Sequence, residues 1–213
     1  MLGMKNGRSV RIVAYVFILG CLCGFFSCKK ADRPKIQLPD VQGKTIYLVP
    51  IGDFSDSQVD HLVGYYREKY KLEIKILKPI RMSPKVWDPA RQQALAEPLV
   101  DYMREAVPEQ SNDPDAILIG LTTTDMYPTS MNWRFAFGWR KADLHAAVVS
   151  SARMNLHYFL QPLDANPETR LRKMVTKDIG ILYYQLPQSD DPRSVLYQKI
   201  LGIQELDAAS EDF

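Results

Sequence analysis

Residues 44–71 read KTIYLVPIGDFSDSQVDHLVGYYREKYK, and two periodicities meet inside this stretch. Thr45-Ile46-Tyr47-Leu48-Val49-Pro50 is a short apolar run closed by a proline, the pattern of a buried strand. Asp53 to Ser57 then supplies helix-start residues, and Val59, Leu62, Val63 and Tyr66 recur at helical spacing until Lys71. A strand feeding a helix is the repeating unit of an α/β fold, and the chain beyond continues it. Leu72 to Ile80 returns to strand, Pro84 to Pro89 is a loop, and Gln92 to Ala106 is helical with Leu95, Leu99, Tyr102 and Met103 on one side. Ala116 to Thr122 is a third strand. Strand, helix, strand, helix, strand implies a mostly parallel sheet with right-handed crossovers.

Further along, Trp133-Arg134-Phe135-Ala136-Phe137-Gly138-Trp139 puts an aromatic on every second residue, which lines one face of a strand and turns Arg134 and Arg140 to the other, solvated side. Ala146 to Ser150 gives a fifth strand. After Pro162 and Pro167, the stretch Thr169 to Leu186 is a helix with Leu171, Met174, Val175, Ile179, Leu182 and Leu186 on one stripe, ended by Pro187. A last helix, roughly Arg193 to Leu206, closes the chain. No internal repeat or low-complexity stretch interrupts this order.

Outward in the other direction, Lys5, Arg8 and Arg11 precede an uncharged apolar run from Ile12 to Phe26. This is the pattern of a secretory signal. The run is about 15 residues, short of the roughly 20 that a membrane-crossing helix needs. Cys28, preceded by the small Ser27 and followed by Lys29 and Lys30, is expected to be the lipidated first mature residue. Ile18-Leu19-Gly20-Cys21 is a rival cleavage site with a shorter apolar run, and an uncleaved membrane anchor is a third reading. The expected organisation is a lipoprotein signal peptide at 1–27, a tether at 28–43 rich in proline and poor in apolar residues, and one domain at 44–213. Such a chain is anchored by lipid in the bacterial cell envelope, on the outer membrane or a periplasmic face.

All three cysteines, Cys21, Cys23 and Cys28, lie in or at the end of the export segment, so the domain has no disulfide framework, no cysteine-ligated zinc and no thiol nucleophile. Loss of residues 1–27 moves the formal charge from +2 to −1. That balance removes any electrostatic argument for nucleic acid. The domain is long enough to bury a stable core without staples.

Six blocks then carry a resemblance. Leu48-Val49-Pro50-Ile51-Gly52, Tyr65-Tyr66-Arg67-Glu68-Lys69-Tyr70, Asp88-Pro89-Ala90-Arg91, Gly120-Leu121-Thr122 with Asp125-Met126-Tyr127, Asn132 to Gly138, and Ala147-Val148-Val149-Ser150-Ser151-Ala152-Arg153 resemble successive blocks of archaemetzincins, the archaelysin family of zinc metallopeptidases, in matching order and spacing. The resemblance implies a metzincin-like zincin fold. It is an α/β (α+β) domain with a mixed, mostly parallel five-stranded sheet, an antiparallel edge strand, and helices packed against it. It also implies zinc. In that family a helix bears H-E-x-x-H-x-x-G-x-x-H, where histidines at i and i+4 bind one metal from the same face and the glutamate is general base on zinc-bound water.

Here the corresponding segment is Lys177-Asp178-Ile179-Gly180-Ile181-Leu182-Tyr183-Tyr184-Gln185-Leu186-Pro187. Lys177, Ile181 and Pro187 stand where the three histidines would be, Asp178 holds the general-base position, and Tyr184 replaces the turn glycine. Gln188 and Ser194-Val195-Leu196 stand where family members place further cysteines and a methionine. An isoleucine and a proline offer no side-chain donor and an ammonium ion repels a cation. The expectation is therefore a metal-free pseudopeptidase with no catalytic residues, serving as an envelope binding or scaffold module. The alternative is an active zinc-dependent metallopeptidase whose ligands converge from His61, His145, His157 and carboxylates. No pair of those histidines has ligand spacing, and each reads as an exposed helix, loop or edge residue. Asp53, Asp56 and Asp60 read as helix-start and solvated charges, and Asp178 as an ordinary helix carboxylate partnered by Lys173, Lys177 or Arg172.

In the resembled fold the aromatic strand is the edge above the substrate cleft. A groove kept without its metal, with Trp133, Phe135, Phe137, Trp139, Tyr183 and Tyr184 nearby, is a candidate site for a peptide or envelope protein held by main-chain bonds and aromatic contact. The plainer reading of any one of these rings is core packing beneath a helix.

Overall fold

Seven consecutive residues can be buried on both faces only at the centre of a covered sheet, and Ala116–Thr122, apolar except for Thr122, is such a run. In the computed structural model, which describes residues 36–213, it is the middle strand of five. In chain order the elements are β1 (Thr45–Ile51), α1 (Asp56–Tyr70), β2 (Ile74–Ile76), β3 (Trp87–Asp88), β4 (Gln93–Leu95), α2 (Ala96–Ala106), α3 (Pro108–Ser111), β5 (Ala116–Thr122), β6 (Met126–Tyr127), β7 (Gly138–Lys141), β8 (Ala146–Ser150), α4 (Pro167–Asp178) and α5 (Ile203–Ala208). The main sheet runs β2-β1-β5-β8-β7, parallel throughout except for β7, which lies antiparallel at the edge against β8. A second, small sheet joins β3, β4 and β6.

Each face of the main sheet has its own core. On one, Val59, Leu62 and Tyr66 of α1 and Leu171, Val175 and Ile179 at α4 pack over Ile46, Leu48, Ile117 and Val149. On the other, Leu99, Val100 and Met103 of α2 pack over Val49, Leu118 and Val148. Gly120 sets the distance of α2 from the sheet, because a Cβ there would lie 2.7 Å from Met103 Sδ. The N-terminus of α4 is fixed by Asn166, whose side chain accepts from the Thr169 amide, with Pro167 in the first turn.

Several boundaries differ from expectation. The helix expected over 92–106 begins at Ala96, because Gln92 takes φ 53° and Gln93–Leu95 pairs in the small sheet. The strand expected over 72–80 is cut to Ile74–Ile76, with Ile80 rejoining β1 through a single bridge to Ile51. Of the expected strand 133–139, only Gly138 and Trp139 are in β7, and 133–137 is irregular. The long helix expected to reach Leu186 is α-helical only to Asp178, widens to a π-helical turn at Ile179–Tyr183, and reverses at Gln185, φ 55°, before Pro187 is reached. The last helix is confined to Ile203–Ala208, since 189–198 forms turns closed by a bridge between Ser189 and Tyr197. The described part of the expected tether is not wholly free: Leu38 and Val41 pack against the first core.

The expected signal peptide at 1–27 and the lipidation site Cys28 lie outside the described residues. Among the described residues no helix is long and apolar enough to cross a membrane.

Candidate functional site: a cleft between the edge strand and α4

A cleft of about 440 Å³ opens between β7, the irregular segment before it and the C-terminal end of α4. Its wall is aromatic, its floor is charged, and Gln188, Gln198, Ile200 and Leu201 form the far side.

The wall is irregular chain held rigid by side chains from elsewhere. Glu97 in the first turn of α2 accepts from the amides of Thr129 and Ser130 at 2.8 and 3.0 Å and from the Ser130 hydroxyl at 2.6 Å. Burial works against the charge on Glu97, but these bonds outweigh it and hold the carboxyl at about 2. Arg91 and Gln93 donate to the Arg134 carbonyl at 2.9 and 3.0 Å. Asp125 binds Gln93 and, bidentately, Arg153, whose guanidinium lies 4.4 Å from the Phe135 ring centroid. The Ala136 amide completes the wall by donating to Met126 O at 2.8 Å.

Four of the expected groove residues line the cleft, Trp133 and Trp139 with rings edge-to-face at 6.3 Å and Phe135 and Phe137 likewise at 5.2 Å; Trp139, alternating with Gly138 and Arg140 along β7, also packs against the second core. Trp133 is 38% exposed while Phe137 is buried, so the wall grades from solvent to core. Tyr183 and Tyr184 do not line it. The π-helical turn carries them to the opposite side of the helix end, where Tyr184 packs 5.6 Å from Phe213 and the Tyr183 hydroxyl donates to Val41 O.

The floor holds Lys177, Asp178 and Arg140, and two sequence expectations are corrected there. Asp178 is no ordinary helix carboxylate: its side chain is 2% exposed, and its partner is Arg140 of β7 rather than Lys173, Lys177 or Arg172. Arg140 accordingly does not turn away to solvent, whereas Arg134, at the cleft margin, is exposed as expected. Burial pushes the Asp178 carboxyl up, opposed by Arg140, and its Oδ2 is buried without a hydrogen-bond partner. Lys177 is 5% exposed and its Nζ donates to the Tyr197 carbonyl. Burial lowers the ammonium to about 8, against the pull of Asp178.

The same helix carries a second buried charge system that sequence reading missed. Arg170, fully buried, forms a bidentate pair with Asp207 at 2.7 Å and donates to the carbonyls of Met154 and Leu156. Lys173 donates to the carbonyls of Leu206 and Asp207 at 3.1 and 3.0 Å. Arg170, Lys173 and Lys177 recur at i, i+3 and i+7, a signal legible in the sequence: three cations on a face that must pack.

The histidines do not converge. His61 is exposed on α1, 4.0 Å from Glu168; His145 occupies a left-handed turn before β8; His157 contacts Gln161 in a loop. Among the described residues no three His, Cys, Asp or Glu side chains are grouped to hold a metal ion. Zinc does not fit the residues at the site either. Lys177 brings a positive charge, Asp178 is engaged by Arg140, and Ile181 and Pro187 have no donor atom and do not line the cleft.

No protein-family model matches the sequence, and no curated protein matches it significantly. Among solved structures the chain is similar to the archaemetzincin of Methanopyrus kandleri, with 24% identity and TM-score 0.62 over 83% of this chain and 92% of that one. It is also similar to the archaemetzincin of Archaeoglobus fulgidus in complex with malonate, with 20% identity and TM-score 0.61 over 79% and 94%. A zinc-dependent peptidase of Methanocorpusculum labreanum gives 19% identity and TM-score 0.60 over 79% and 95%. The chain thus has the fold of archaemetzincin zinc peptidases, a mixed α/β domain on a mostly parallel five-stranded sheet.

Proposed function

We propose that this chain is a catalytically inactive, lipid-anchored relative of zinc peptidases, a binding or scaffold module of the bacterial cell envelope that holds a peptide segment of a partner in its cleft. The observation that carries this reading is Lys177. At the place the resemblance gives to the first zinc-binding histidine stands a buried ammonium bonded to a backbone carbonyl, beside an aspartate engaged by arginine. A cation in that position opposes a metal where the family needs one, and the other two ligand positions supply no lone pair.

Retention of the cleft supports binding rather than loss of all function. Its wall is anchored by Glu97, Arg91, Gln93 and Arg153, and the β7 edge is open beside it. Anchoring through Cys28 and location in the envelope rest on the sequence pattern of residues 1–30.

Elemental analysis of the chain purified with zinc available, run beside a general peptidase assay, tests the reading. It expects no bound zinc and no cleavage. Near-stoichiometric zinc that a chelator strips together with peptidase activity would overturn it.

A further inference from the structure

The cleft floor carries more positive than negative charge. Its lining side chains include Arg134, Arg140 and Lys177 as cations and Asp178 as the one anion, already bound to Arg140. Arg134 is exposed and solvated, but Lys177 is not, being only 5% exposed. Its ammonium has three donors. The Tyr197 carbonyl takes one of them. A buried ammonium without a full complement of anionic partners is costly, and an apolar side chain of the same size would be the more stable solution. A ligand of opposite charge supplies what the protein leaves out.

The surroundings specify more than charge. Main-chain geometry along β7 alternates, and the Ser150 amide donates to the Phe137 carbonyl. Residues 137, 139 and 141 are therefore the ones bonded to β8, which leaves the amide and carbonyl of Gly138 and Arg140 facing the outer edge. An extended backbone can pair there. The wall beside that edge is apolar and aromatic, and a volume of about 440 Å³ accommodates a few residues but not a folded partner.

We propose that the cleft recognises a free peptide C-terminus, with the terminal carboxylate on Lys177 and an apolar or aromatic last side chain against Trp133 and Phe135. This rests on the peptide-binding reading above and narrows it. A segment passing through the cleft would leave Lys177 facing a neutral amide, whereas a chain ending there delivers a carboxylate to the ammonium.

The test uses the full chain in detergent with two probe mixtures, randomised N-acetyl tetrapeptides with a free C-terminal carboxylate and the same mixture amidated. Binding is read from the indole N–H resonances of Trp133 and Trp139, with Trp87, outside the cleft, as internal control. The expected result is movement of the two cleft indoles, with the free-acid mixture at least about tenfold tighter than the amide, corresponding to the loss of one charge-assisted contact. Lys177→Met abolishes that preference and Lys177→Arg retains it. Equal binding of acid and amide, unchanged in Lys177→Met, overturns the terminal-carboxylate inference while leaving the peptide groove intact. Binding of acetate or propionate as tight as that of the free-acid peptides overturns it as well, by showing an anion pocket with no peptide selectivity. No movement with either mixture overturns the peptide reading itself.

Discussion

Lys177 decides the chemistry of the site, and its energetics can be tested apart from any ligand. Its pKa falls from 10.5 to about 8 in the folded chain, chiefly through burial. Between those values the unfolded chain binds more protons than the folded one, so folding stability rises with pH from about 8 upward and flattens near 10.5. Lys177→Met removes the buried charge at the loss of one bond to Tyr197 O. It is expected to stabilise the chain by about 1–3 kcal/mol at pH 7 and to flatten the rise between pH 8 and 10, read by urea unfolding at several pH values. A variant less stable than wild type at pH 7 that keeps the slope would place the titrating group elsewhere. Arg140→Met works in the opposite direction, because it strands Asp178, already short of a partner at Oδ2. The expected loss is about 3–5 kcal/mol, most of it recovered by adding Asp178→Leu. The Arg140–Asp178 pair was not legible in the sequence, since nothing local links positions 38 residues apart. The helical spacing of Arg170, Lys173 and Lys177, by contrast, is legible in the sequence.

At the scale of elements, what could be read from sequence was what is buried on both faces. β1, β5 and β8 are largely apolar runs at the centre of the sheet, with β5 paired to both of the others, so composition and spacing alone locate them. The aromatic segment 133–137 has a perfect strand alternation and is not a strand. Its main chain is bonded by the side chains of Arg91 and Gln93, about 40 residues earlier, and by the Met126 carbonyl. Period-two patterning predicts rings on one side, yet Phe137 packs in the first core and Trp139 against the second, although all four residues line the cleft. Glu97 is the clearest handle on this wall. Glu97→Ala is expected to cost about 1–2 kcal/mol and to raise amide exchange across 129–137 well above the rest of the domain. In wild type the same anchor responds to acid. With its carboxyl lowered from 4.5 to about 2, the Glu97 contribution is complete above pH 4.5 and is lost as pH falls toward 2. Uniform exchange in the variant, with 129–137 as protected as before, would show that Arg91 and Gln93 suffice.

For the whole molecule the question is what holds the fold if no metal does. The two cores on opposite faces share β1, β5 and β8, and α4 is tied to α5 through Arg170–Asp207, so helices on both sides depend on one sheet. Residues 36–213 contain no cysteine, so no disulfide substitutes for packing. A domain of this size buries about 70% of the surface its unfolded chain exposes, which is sufficient for stability without a staple. The contrast with a zinc-stabilised fold is quantitative. A metal present at 100 times its Kd contributes about 2.7 kcal/mol, and in a domain of 150–250 residues each kcal/mol moves the midpoint by about 2–4 °C. Chelation of such a metal would lower Tm by roughly 5–10 °C. The expected outcome here is a single thermal transition that shifts by less than about 1 °C with excess chelator or with reductant, followed by circular dichroism at constant protein concentration. A fall of 5 °C or more with zinc recovered in the chelate would mean that donors outside the Lys177 helix close a metal site, and the cleft would then have to be argued again from that ion.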